Sequence, residues 1–113
     1  MSHDSNNPCA VACSDCQREC DACAHHCAKM VASGKHEHMA TLASCLDCAD
    51  LCAAASRIVA RDGVYASLIC RACANACAAC AKACAAISSD AMMKACADEC
   101  LKCEKACRAM LTS

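Results

Sequence analysis

A chain of 113 residues in which 11 Lys and Arg face 12 Asp and Glu has a net charge of −1. That balance excludes the broad cationic surface of a nucleic-acid binder. Eighteen cysteines and 28 alanines dominate the composition, with one tyrosine and no phenylalanine or tryptophan, and the 13 Leu, Ile and Val residues are too few for a conventional aliphatic core at this length.

Residues 1–7 read as a disordered polar tail, and 8–113 as one domain. The tail carries no apolar export segment, and no uninterrupted apolar run approaches the about 18 residues of a membrane span. A cytoplasmic protein without membrane contact is expected. Asn7 can cap a first helix with Pro8 at its tolerated first position, running to about Ser33 and stopping at Gly34. The second helix is expected over roughly His36 to Arg61, ending at Asp62-Gly63. The third spans roughly Val64 to Ile87, and Ser88 or Ser89 caps a fourth that reaches Leu111. The short connections make neighbours antiparallel. The fold class is all-α, an up-down-up-down four-helix bundle with a cysteine-lined core.

Cysteine spacing carries the functional reading. The first segment holds Cys9, Cys13, Cys16, Cys20, Cys23 and Cys27; the second holds Cys45, Cys48 and Cys52. Cys70, Cys73, Cys77, Cys80 and Cys84 follow in the third, and Cys96, Cys100, Cys103 and Cys107 in the fourth. Steps of three and four alternate within every group, which draws one inward stripe along each helix. A disulfide framework would need turns, an oxidising compartment and close Cβ pairs, whereas i,i+3 and i,i+4 Cβ atoms lie about 5–6 Å apart. A purely hydrophobic core would use Leu, Ile or Val, which bury more area and do not oxidise.

Metal ligation remains. All-sulfur sites select soft ions. Zinc held by four unshared thiolates leaves a charge of −2 per site, while monovalent Cu(I) nearly cancels one thiolate each and accepts two or three ligands. A column of Cu(I) ions, several per chain, fits the stripes; a zinc or mixed soft-metal thiolate buffer, metallothionein-like in role, is the alternative. Iron–sulfur clusters usually take loop cysteines. No thiol stands apart as a nucleophile and no acid–base pair is visible, so no enzyme is expected.

Past the thiols, the stripes continue to Met30, to His38 through Thr41, and to Met93. Antiparallel topology brings these ends together as a mouth of softer neutral ligands, near His36, Met39 and Met92. His25 and His26 are adjacent, and Cys27 already occupies the stripe beside them. Val59, Ala66 and Met110, with Tyr65 nearby, are expected to plug the opposite end. Asp15, Arg18, Glu19, Asp98, Glu99, Lys102, Glu104 and Lys105 form a solvated outer face. The alanine-rich outer face of the third helix suits contact with another subunit.

Four stripes of Cys-x3-Cys and Cys-x2-Cys, from Cys9 to Cys107, resemble the bacterial copper storage proteins, specifically their cytosolic branch. The resemblance implies a homotetramer of four-helix bundles, each storing many Cu(I) ions on all 18 cysteines. It also implies an admitting end lined with His and Met, here Met30, His38 and Met93. Exported relatives carry a signal peptide, which is a point of departure. A copper chaperone would serve as delivery partner. Because alanine favours helix without metal, the metal-free protein is expected to keep its helical circular-dichroism signal after chelation; collapse of that signal would contradict this.

Overall fold

The computed structural model describes residues 7–87 and 89–112. Four helices follow in order: α1 over Pro8–Ala32, α2 over Met39–Ala60, α3 over Ala66–Ala85 and α4 over Ala91–Thr112, with a 3₁₀ turn at His36–His38 before α2. They stack as a square antiparallel bundle measuring 50 × 19 × 19 Å. α1 packs on α2 and α4, and α3 packs on the same two. The expected all-α bundle is the observed one. Residues 1–6 of the expected tail, and Ser88, lie outside the described residues.

Helix ends follow local chemistry. Asn7 accepts from the Cys9 N–H at 2.8 Å, and Pro8 opens α1. α1 closes in a Schellman motif: Lys35 N–H donates to the Met30 carbonyl at 2.9 Å and Gly34 N–H to Val31 at 3.0 Å. Gly34 supplies the left-handed residue, at φ 97°. α2 closes the same way, Gly63 N–H to Ile58 at 2.9 Å and Asp62 N–H to Val59 at 3.1 Å. Here Asp62, not the glycine, takes the left-handed conformation, at φ 53°. Gly63 is needed for space, because a Cβ there would stand 3.1 Å from the Ile58 carbonyl oxygen.

Boundaries of three helices differ from expectation. His36–His38 forms a tighter 3₁₀ turn, so α2 begins at Met39. α3 begins at Ala66 and ends at Ala85, two residues inside its predicted limits at each end. Asp90, rather than Ser89, caps α4: its Oδ1 accepts from the Met92 N–H at 2.9 Å, and Ser89 is exposed.

The core is made of small side chains. All 18 cysteines are buried, joined by seven alanines, Val59 and Met93. The outer face bears surface ion pairs, among them Lys102–Glu99 and Arg108–Glu104. α3 alone among the described residues is long and apolar enough to cross a membrane by length and composition, yet it carries Arg71 and Lys82 and buries its cysteine face on the bundle axis. Relieving the left-handed backbone at Asp62 with Asp62→Gly is expected to stabilise the protein by about 1 kcal/mol. Gly63→Ala is expected to lower the midpoint of thermal unfolding; a rise there would contradict the packing described.

Candidate metal centre

Alternate three- and four-residue steps put each cysteine on the inward side of its helix, so the thiols of four helices converge on one axis. Within helices, the contacting sulfurs are four residues apart: Cys9–Cys13 at 4.0 Å, Cys16–Cys20 at 3.9 Å, Cys48–Cys52 at 3.9 Å and Cys73–Cys77 at 4.0 Å. Between helices the approach is closer, with Cys13–Cys107 at 3.5 Å, Cys52–Cys73 at 3.6 Å and Cys20–Cys100 at 3.7 Å. Contacts also cross the diagonals of the square, from Cys9 to Cys70 at 3.9 Å and from Cys52 to Cys103 at 3.9 Å. The axis is therefore filled with sulfur rather than hollow.

Every cysteine is a free thiol. The separations are too long for a disulfide, whose sulfurs lie about 2.05 Å apart. They suit a shared ion: with metal–sulfur bonds of about 2.3 Å, two sulfurs stand about 3.8 Å apart in a tetrahedral site, about 4.0 Å in a trigonal one and about 4.6 Å in a linear one. The metal-free column already has three- and four-coordinate spacing.

Quartets whose sulfurs all lie within 4.8 Å of one another run the length of the axis. From the Cys9 end they include Cys13, Cys73, Cys103 and Cys107; then Cys16, Cys52, Cys77 and Cys103; then Cys16, Cys20, Cys48 and Cys100. Cys20, Cys80, Cys96 and Cys100 come next, and Cys23, Cys45, Cys84 and Cys96 last. Each quartet shares at least one thiol with its neighbour, and the third and fourth share both Cys20 and Cys100. A thiolate in two quartets can bridge two ions, so the sites form a continuous lining.

Met93 closes the column at one end. It is fully buried, and its Sδ receives the thiols of Cys27 at 3.9 Å and Cys23 at 4.0 Å. His38 is 2% exposed, and its Nδ1 has no hydrogen-bond partner. Thr41 is buried and donates to the Ala83 carbonyl at 3.4 Å. Met30 is half-buried one turn beyond Cys27, while His36 and Met39 face solvent. Sequence reasoning missed two participants. His26 turns toward the mouth, its Nε2 lying 2.7 Å from Asp90 Oδ2 and its ring edge-on to that of His38 at 5.9 Å. Asp90 has its carboxyl held below the ordinary value, first by the His26 hydrogen bond. Its position three residues before Met93, where a cap belongs, was the available signal.

The far end differs. α2 contributes Ala55 and Val59 there, both buried, in place of thiols, leaving Cys9, Cys70 and Cys107 from the other three helices in mutual reach. Met110 is half-buried. Tyr65 is 66% exposed, so the expected plug forms without it.

Burial and neighbouring charge set the thiol acidities. Desolvation, followed by the charge of the nearest sulfur, pushes Cys27 and Cys70 up to about 12. Cys9 moves to about 4, because the thiols of Cys107 and Cys13 hydrogen-bond to its sulfur. Thiols held protonated, as Cys27 and Cys70 are, give up their protons when an ion enters.

Four antiparallel helices that line their common axis with free thiols define a thiolate metal-binding bundle. A family model described as copper storage protein matches residues 2–112, and the chain belongs to that family. Cu(I)-bound copper storage protein BsCsp3 is 30% identical, with a TM-score of 0.87 over 96% of this chain and 99% of that one. A double mutant of Streptomyces lividans Ccsp, with two histidines changed to alanine, is 31% identical, with a TM-score of 0.84 over 96% and 93% of the two chains. Ccsp loaded with 10 copper equivalents is 30% identical, with a TM-score of 0.83 over 92% of this chain and 81% of that one. No curated protein sequence matches the chain.

Raised thiol pKa values have a defined consequence for stability. Below pH 9.0, the ordinary value, Cys27 and Cys70 are protonated whether the chain is folded or unfolded; between 9.0 and about 12 only the unfolded chain loses these protons. The stability gained from lowered thiols such as Cys9 is already complete by pH 9.0. The reduced, metal-free protein is therefore expected to lose thermal stability steadily from about pH 9 to pH 11, as measured by circular dichroism under argon. A flat or rising melting temperature would show that these thiols do not stay neutral in the fold.

Proposed function

We propose that this chain is a high-capacity, reversible store for Cu(I), with detoxification as a consequence. The observation that carries this reading is the unbroken series of buried quartets with shared thiols. A protein built for one structural ion needs one such quartet; this one repeats the arrangement along its axis. All 18 cysteines act as ligands, sharing ions by bridging. At the mouth, Met30, His38 and Met93 are neutral ligands that pass the ion inward without holding it as thiolates do. The role is storage rather than catalysis.

Buried free thiols in this number call for a reducing compartment, so the protein works in the cytoplasm. Exposed Leu68 at 65% and Leu46 at 48%, together with the alanine face of α3, support assembly into a homo-oligomer, a tetramer by family resemblance. A copper chaperone is the natural source of ions that are never free in solution. The zinc or mixed-metal buffer draws on one specific observation, the four-sulfur sets spaced for tetrahedral ligation.

Anaerobic titration of reduced protein with Cu(I) against a competing chelator separates the two. Many Cu(I) ions per chain, bound in preference to zinc, are expected. Saturation after one or two ions would sink the storage reading, and preferential zinc recovery at a few ions per chain would favour the buffer. Met30→Leu, His38→Gln and Met93→Leu keep side-chain bulk while removing the soft donor. They are expected to slow loading or release in stopped-flow measurements with little change in capacity; a large capacity loss at unchanged rates would reverse the mouth assignment.

A further inference from the structure

The mouth contains a polar cluster that the cysteine stripes do not account for. Asp90 works through both carboxylate oxygens: Oδ1 accepts from the Met92 N–H at the start of α4, and Oδ2 lies 2.7 Å from His26 Nε2 near the end of α1. An ionised carboxylate only accepts hydrogen bonds, so Nε2 of His26 carries the proton and donates. In the neutral ring this leaves Nδ1 as the nitrogen with a lone pair. The His26 ring lies edge-on to His38, 5.9 Å between centroids, and His38 keeps a buried Nδ1 without a partner. A buried polar atom without a partner is costly, and none of the described residues supplies one to His38 Nδ1. A cation that accepts imidazole nitrogen would.

We propose that Asp90 is a positioning residue for copper admission: by holding His26 through Nε2, it presents His26 beside His38 as a two-imidazole docking station for a soft monovalent cation. The station lies at the end of the thiol column that Met93 closes. This rests on the Cu(I)-storage reading. A carboxylate behind an imidazole fixes ring orientation and raises its basicity, and loss of such a partner costs about 10- to 100-fold in metal affinity. Neutral nitrogen donors also bind soft ions less tightly than thiolates, so an ion docked there moves on to Cys23 and Cys27. Because the same side chain caps α4, the station is tied to the turn that places Met93.

The competing explanation is that Asp90 is only a helix cap. Two substitutions separate these roles. Asp90→Ser keeps a good cap but is too short to reach His26, whereas Asp90→Asn keeps both the cap and an oxygen to accept the Nε2–H. Reduced full-length wild type and both variants are given Cu(I) as a weak chelate in stopped flow, then titrated to saturation. The His26 tautomer is read by nitrogen-15 NMR before copper is added. We expect wild type in the Nε2–H form, and Asp90→Ser loading about tenfold more slowly at full capacity with a mixed tautomer. Asp90→Asn should recover most of both rate and tautomer. Loading of Asp90→Ser at the wild-type rate would overturn the proposal, as would slow loading accompanied by lost capacity, or a wild-type His26 protonated on Nδ1 alone. Saturation of the wild type itself at one or two ions would instead count against the storage reading, and is distinguishable from all of these.

Discussion

Sulfur has to meet sulfur across four helices, and that separation constrains the rest of the molecule. Cysteine is short, so the helices must approach closely before thiols on different helices come within 4 Å. Aliphatic side chains on the inward faces would hold them apart. The flanking buried positions are consequently alanine: Ala24 on α1, Ala49 and Ala55 on α2, Ala74 and Ala81 on α3 and Ala97 on α4. The shortage of Leu, Ile and Val is thus a geometric requirement of the site. Alanine also supplies the intrinsic helix preference that a bundle without a large aliphatic core depends on.

The two ends of the column are unlike because the stripes do not end alike. At the α1 C-terminus the thiols give way to a thioether and two imidazoles, donors that need not lose a proton to bind a soft ion. At the α1 N-terminus α2 substitutes Ala55 and Val59 for thiols, and Ser56 ties it to α1 by donating to the Ala10 carbonyl at 3.0 Å. One end presents neutral donors and the other is closed by packed aliphatic side chains. Neighbouring quartets overlap by one or two sulfurs, so an ion can pass from one to the next by exchanging ligands singly instead of leaving a complete site.

Much of this was legible in the sequence, for a physical reason. A helical stripe is a local property: Cys9 through Cys27 can be placed on one face by counting, and Asn7, Pro8 and Gly34 act within a few residues of themselves. The same locality explains the errors. Whether His26 or the next stripe position faces the mouth depends on where Asp90 lies, and these two residues are 64 positions apart. Ser88, Ser89 and Asp90 are all residue types that cap a helix; Asp90 takes the role through the Met92 N–H, and its bond to His26 adds a tertiary tie that the local sequence does not show. Tyr65 was expected near the closed end by proximity along the chain, but it belongs to the loop before α3 and turns outward. Asp62 shows the reverse case, where the Asp-Gly signal located the turn correctly but the aspartate took the conformation usually left to glycine.

Charge explains why a protonated column and a monovalent cargo suit each other. Each neutral thiol that exchanges its proton for Cu(I) leaves the interior at the same formal charge as before. Desolvation of charge, the cost that pushes Cys27 and Cys70 upward, is then avoided in both the empty and the loaded protein. A divalent ion reaches the same neutrality only with two thiolates per ion, and tetrahedral coordination at that ratio requires every sulfur to bridge. The termini of the column lack the neighbours for that, since the Cys9 end has no α2 thiol and the other end gives way to Met93. Two- and three-coordinate Cu(I) accommodates such incomplete ends, which is the property that lets a finite stack of thiols be filled along its whole length.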